Sequence, residues 1–251
     1  MIPRSSKPHI IVTMAGGGRR FRDAGYDMPK FMVTARGRTL FDWSMTSLSG
    51  FARAGWRFIF IAQREDRTQP FLQQACPNAG IDDWGLVELD GITDGQATTV
   101  LTSSDMIGTG SVPIGVYNID TYVEAHALPP AAIQGDGWIP CFPGQGDAWS
   151  FARTANDLRI VEVREKNRIS PHCTIGFYYF RSFDLYRQAY GRYYGDGANL
   201  ERGERYIAPL YNQLIKDGLS VYMHPVPADA VHPLGTPAEV ERFVESAKSA
   251  I

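Results

Sequence analysis

The sequence predicts an α/β fold, doubly wound, with a mostly parallel mixed sheet and a β-rich insertion in its second half. Three observations carry this prediction. An apolar run, Ile10-Ile11-Val12, reads as a buried strand and delivers the glycine-rich turn Gly16-Gly17-Gly18. Residues 39–48 place apolar side chains at helical spacing and are followed by a second apolar run at 57–62, the pattern of a right-handed βαβ unit. Beyond residue 137 the chain turns to short alternating segments joined by turn residues, the pattern of antiparallel pairs.

Taken in order, the first helix is expected to stop at Gly50. The strand at 57–62 leads to a helix at 69–75 and a third strand at 86–89. Gly95-Gln96 then reads as a turn opening a helix whose inward face is Ala97, Val100 and Leu101. The apolar run at 113–117 ends in Asn118-Ile119-Asp120. This sets two oxygen-bearing side chains at the carboxyl end of a strand, the edge where open α/β sheets gather ligands. Past the linker-like stretch 127–131, strands are expected at 137–142, 149–153 and 158–163, the last two closed into a hairpin by 154–157, and then at 174–180. A helix at 183–190 and a strand at 220–223 follow. Glu204 reads as an acid at a helix start. Thr236-Pro237-Ala238-Glu239 is a capping box with proline at the first helical position, and it opens a final helix.

Composition excludes several classes. Apolar residues make up 44% and charged residues 21%, with a net charge of −2, so nothing global attracts nucleic acid or an anionic membrane. No window has the length and apolarity of a signal peptide or a membrane span, and a cytoplasmic protein is expected. Cys76, Cys141 and Cys173 are too few and too scattered for a disulfide framework or a zinc knuckle, and the histidines lack metal-site spacing. Local charge differs from the global balance: Arg19, Arg20, Arg22 and Lys30 outnumber Asp23 and Asp27 around the glycines. A glycine turn brings backbone N–H groups close to an anion, and Arg20 and Lys30 add fixed positive charge. The P-loop and dinucleotide patterns are both absent, since Phe21 stands three residues after Gly18.

The longer pattern Ala15-Gly16-x-Gly18-x-Arg20-Phe21, Gly25-Tyr26, Pro29-Lys30 resembles the signature loop of the sugar-phosphate nucleotidyltransferases, the NDP-sugar pyrophosphorylase-like enzymes. The resemblance runs from Ile10 to Phe243. It implies one Rossmann-like nucleotidyltransferase domain over 1–251, with a nucleotide-binding half at about 9–126 and an acceptor-binding half with C-terminal helices at about 137–251. The implied reaction transfers a nucleoside monophosphate from a nucleoside triphosphate to a phosphorylated small metabolite, releasing pyrophosphate, in nucleotide-sugar or surface-polysaccharide biosynthesis.

The resemblance also assigns roles. Ala15, Gly16, Gly17 and Gly18 hold the triphosphate, Arg20 neutralises the leaving pyrophosphate, and Lys30 bridges the α-phosphate and the incoming phosphate. Gly95 and Gln96 meet the base. Asp120 holds Mg2+, while Asn118, Glu165, Lys166, Gly176 and Glu204 shape the acceptor pocket. One departure stands out: Pro233 occupies the position where many relatives carry a second metal aspartate, which leaves three alternatives: one protein carboxylate plus phosphates holds the ion, Asp229 contributes, or catalysis is weakened. Base identity stays open among uracil, thymine and cytosine. The acceptor stays open between sugar 1-phosphates and choline, glycerol or other small phosphates; Tyr178 and Tyr179 read first as an aromatic core strand, with a cation–π wall as the alternative. A glycosyltransferase of the GT-A type and a non-catalytic nucleotide-binding protein are the alternatives, and a homo-oligomer is left open.

Overall fold

The computed structural model describes residues 7–248, apart from residues 109, 196 and 198. Among the described residues ten strands build one sheet: β1 (His9–Thr13), β2 (Arg57–Gln63), β3 (Trp84–Leu89), β4 (Ile114–Asn118), β5 (Gly137–Pro143), β6 (Ser150–Thr154), β7 (Ile160–Glu165), β8 (His172–Thr174), β9 (Phe177–Phe180) and β10 (Val221–Pro225). Ile10, Ile11 and Val12 of β1 are fully buried, as a strand apolar on both faces requires. β1 pairs in parallel with β2 on one side and β4 on the other, and β3 extends the sheet beyond β2. The first three strands therefore advance in one direction and the fourth returns across β1. The crevice opened by that reversal lies between the carboxyl ends of β1 and β4.

Past β4 the sheet becomes antiparallel. β9 pairs with β4 and with β5, followed outward by β8, β6 and β7, while β10 joins β5 in parallel. Two apolar layers cover the faces. One holds Phe41, Met45 and Leu72 from the helices Leu40–Ser47 and Thr68–Asn78. The other holds Val100, Tyr186 and Tyr211 from the helices Gln96–Leu101, Phe183–Tyr194 and Leu210–Lys216. A smaller cluster joins Phe21 after the glycine turn to Leu234, Val240 and Phe243, so the final helix Pro237–Lys248 is anchored beside the N-terminal loop.

Three local expectations are corrected. Gly50 lies inside a second short helix, Ser49–Arg53, and the break falls at Leu48. A Cβ on Gly50 would stand 3.1 Å from Pro130 Cδ, so the glycine admits a neighbour instead of ending a helix. The single strand expected at 174–180 is two. Thr174 pairs with Cys141 of β5 and Phe177 with Tyr117 of β4, and the chain changes partner through Gly176 at φ 82°. Glu204 bridges to Glu201 in a turn well before the helix Leu210–Lys216 begins. No described helix is long and apolar enough to cross a membrane.

Candidate active site

The glycine turn is fixed at its root by the sheet. Met14 N–H donates to the Ile61 carbonyl at 2.8 Å, and Gln63 Nε2 donates to the Ala15 carbonyl at 2.8 Å. From there Ala15, Gly16, Gly17 and Gly18 run along one wall of a cavity of about 1160 Å³, with Lys30 beneath them. Arg22 lines this cavity, whereas Arg20 lines a second, smaller one of about 270 Å³ on the far side of Asp120.

The opposite wall of the large cavity is an interlock. Gly95 takes φ 146°, and a Cβ there would lie 2.4 Å from both the N and O of Arg205. The Arg205 N–H donates to the Asp94 carbonyl, and the Arg205 carbonyl accepts from Ala97 N–H, each at 2.9 Å. Arg205 Nη1 also meets Asp94 Oδ2 at 3.2 Å. Gln96, held by this turn, donates through Nε2 to Thr13 Oγ1 at 2.8 Å and to Asn118 Oδ1. Both donors of its amide face the strand tips, which leaves the carbonyl oxygen as the group offered to a ligand.

At the tip of β4, Asp120 Oδ2 accepts from Lys30 Nζ at 3.0 Å, with the two side chains 36% and 20% exposed. Oδ1 takes no hydrogen bond among the described residues. Asn118 packs on Gly176, where a Cβ would fall 2.8 Å from Asn118 Nδ2, and Asn118 N–H donates to the Gly176 carbonyl at 3.0 Å. Gln96, Asn118, Asp120 and Glu204 line both cavities, so the two spaces meet at these four side chains.

Glu165, Lys166 and Gly176 line the smaller cavity. Glu165 is only 7% exposed. Burial raises its pKa above the ordinary glutamate range, opposed by the hydrogen bond from Ser150 Oγ and by Lys166, whose Nζ lies 3.9 Å away. Lys166 turns off the end of β7 with φ 50°, donates to the Tyr206 hydroxyl and stands 4.3 Å from the centroid of that ring. The Tyr178 hydroxyl faces Thr174 Oγ1 at 2.9 Å and Ser150 Oγ at 3.3 Å.

The chain superimposes on the crystal structure of the nucleoside-diphosphate-sugar pyrophosphorylase from Vibrio cholerae RC9 with a TM-score of 0.87 and 36% identity, over 94% of this chain and 99% of that one. It belongs to the sugar-phosphate nucleotidyltransferase family. More distant structures share the fold. The inositol-1-phosphate CTP transferase from T. maritima matches at TM-score 0.73 and 15% identity, over 99% of each chain. UDP-glucose pyrophosphorylase complexed with UDP-glucose matches at 0.74 and 13%, over 98% of this chain and all of that one. No protein-family profile matches the chain, and no curated protein sequence does. As a nucleotidyltransferase of this family, the protein transfers a nucleoside monophosphate to a phosphorylated metabolite with release of pyrophosphate.

The two cavities bring together residues that are far apart in sequence, and every residue expected at the site lines one cavity or both. Two points left open in the sequence bear on it. Asp229 is exposed on the turn Ala228–Ala230 and lines neither cavity, so it does not stand in for a carboxylate at Pro233. Tyr178 reaches the smaller cavity but Tyr179 does not. Its ring lies 6.5 Å from that of Trp56 in the core, because successive strand residues face opposite ways. Tyr206, Trp149, Arg22 and Glu239 line the cavities without having been given a role at the site from the sequence. Among the described residues no three His, Cys, Asp or Glu side chains converge as a metal cage.

Proposed function

We propose that the large cavity takes a nucleoside triphosphate, the smaller one takes a sugar phosphate, and the reaction occurs where they meet. The observation that carries this is the shared rim: Gln96, Asn118, Asp120 and Glu204 border both spaces, with the Lys30–Asp120 pair at the junction. An oxygen of the acceptor phosphate attacks the α-phosphorus, a new P–O bond forms, and the bond to the pyrophosphate oxygen breaks. Such chemistry needs positioning and charge neutralisation more than a protein nucleophile. Lys30 neutralises the phosphoryl group between the two ligands, the backbone of Ala15 to Gly18 holds the phosphates, and Arg20 meets charge from the acceptor side.

Asp120 suits a magnesium ion, because Mg2+ is held by one or two carboxylates together with substrate phosphates. The space beside Asp120 Oδ2 is kept open by Gly235, whose Cβ would stand 3.3 Å from that oxygen. When bound, the metal would neutralise phosphate charge at this point.

The wall of the smaller cavity favours a polyhydroxylated acceptor. Ser150, Glu165, Thr174, Tyr178 and Glu204 offer hydroxyls and carboxylates. A trimethylammonium head would seek aromatic faces, but the Lys166 ammonium, bonded to the Tyr206 hydroxyl and 4.3 Å from that ring's centroid, would repel a second cation there. The test is pyrophosphate release with Mg2+, each nucleoside triphosphate being paired with hexose 1-phosphates, inositol phosphate, glycerol phosphate and choline phosphate. Turnover with a sugar phosphate is expected. Turnover with choline phosphate alone, or with none, would overturn the proposal.

A further inference from the structure

Two capping boxes in this chain behave differently. At Thr39 the box is closed: Asp42 N–H donates to Thr39 Oγ1 at 3.0 Å, and Asp42 Oδ2 accepts from Thr39 N–H at 3.0 Å. At Thr236 only half is made. Glu239 N–H donates to Thr236 Oγ1 at 3.2 Å, while the Glu239 carboxylate accepts no hydrogen bond and makes no ion pair among the described residues. It turns instead over Gly235. A Cβ on that glycine would stand 3.4 Å from Glu239 Oε2 and 3.3 Å from Asp120 Oδ2, so the two carboxylates border the same small space. Both border the smaller cavity, at the junction where Asp120 meets the larger one.

Two carboxylate oxygens that would both touch one methyl group stand close enough to repel each other, and a cation between them would relieve this. Lys30 reaches only the Asp120 side. We propose that Glu239 is the second protein carboxylate of the divalent-cation site at Asp120, supplied from the first turn of the last helix. This rests on the metal role given above to Asp120. Gly235 is then required for its lack of a side chain, since even a methyl group would fill the space, and Asp229 has no part.

Manganese binding tests this directly through the electron spin resonance of free Mn2+, titrated with and without a non-hydrolysable nucleoside triphosphate analogue. Losing even an indirect partner of a metal weakens affinity about ten-fold or more, so Glu239→Gln should weaken Mn2+ at least that much. Gly235→Ala should do the same, and Asp229→Asn should leave it unchanged. Circular dichroism of each variant guards against misfolding, and Glu239→Gln keeps the backbone bond to Thr236. If Asp120→Asn loses Mn2+ while Glu239→Gln and Gly235→Ala bind it as the native protein does, the Glu239 assignment fails alone. If neither Asp120→Asn nor Glu239→Gln changes Mn2+ binding, or the native protein binds none, the metal reading of Asp120 fails with it.

Discussion

The proposed reaction rests on the Lys30–Asp120 pair, two side chains from distant parts of the sequence held 3.0 Å apart. A lysine that neutralises charge building up on a phosphoryl group acts mainly in the transition state, and groups of this kind contribute about 10²–10³-fold in rate. Lys30→Ala should therefore lower kcat about a hundred-fold or more while changing nucleotide affinity only a few-fold, measured by pyrophosphate release and calorimetry. Equal losses in both would remove the transition-state role. Glu165 supplies a pH test. Burial raises its pKa from the ordinary 4.5, so it protonates before an exposed glutamate as pH falls. In the proposed acceptor site its ionised form accepts from a sugar hydroxyl, so the KM for the acceptor should rise as pH falls through that raised value, and Glu165→Gln should flatten this limb. An unchanged limb would place the titration elsewhere. At this scale the sequence was uneven. Lys30 and Asp120 were legible because each ends a motif with chemical content. The division of labour between Arg20 and Arg22 was not, because positions two apart on a helical turn face about 200° apart and the orientation of that short helix is set by tertiary packing. Glu239 looked like a capping residue, and only its unmade hydrogen bond distinguishes it.

Among the elements, the turn before the helix Gln96–Leu101 is the tightest constraint. A side chain at Gly95 would enter the backbone of Arg205 at 2.4 Å in a conformation closed to other residues. Gly95→Ala should cost roughly 2–4 kcal/mol of stability and weaken nucleotide binding with it. Thermal melts with and without nucleotide would show this, and an unaltered melting temperature would mean the turn can re-form without the clamp. The same element shows where periodicity stops being informative. Alternation and apolar runs located the strands, but residues 174–180 are apolar on both sides of Gly176, and nothing in hydrophobicity marks a change of strand partner. Likewise Gly50 looked like a stop signal, whereas it is glycine because Pro130 lies against it. Contacts of that kind come from residues distant in sequence, and local spacing carries no trace of them.

Across the whole molecule, the parallel half and the antiparallel half form one continuous sheet through β4 and β9. Acid sensitivity is expected from one buried group. His9 at the start of β1 is fully buried, and desolvation, with the neighbouring Arg57 charge, lowers its pKa from 6.5 to about 4. Between those values the unfolded chain takes up a proton that the folded chain refuses, so stability falls as pH drops through the window, by up to about 3 kcal/mol at its lower end. Replacing His9 by Gln should flatten stability between pH 6.5 and 4 in denaturant titrations, and an unchanged slope would assign the loss to other groups. The Arg205 clamp has a consequence for how the protein is made. A chain leaves the ribosome from its N-terminus, so the glycine turn and β1 to β4 emerge long before residue 205. Until that residue arrives, the turn at Gly95 lacks both of its backbone partners. A nascent or proteolysed chain ending short of residue 205 would carry the signature loop and still lack the Arg205 groups that close the turn opposite it.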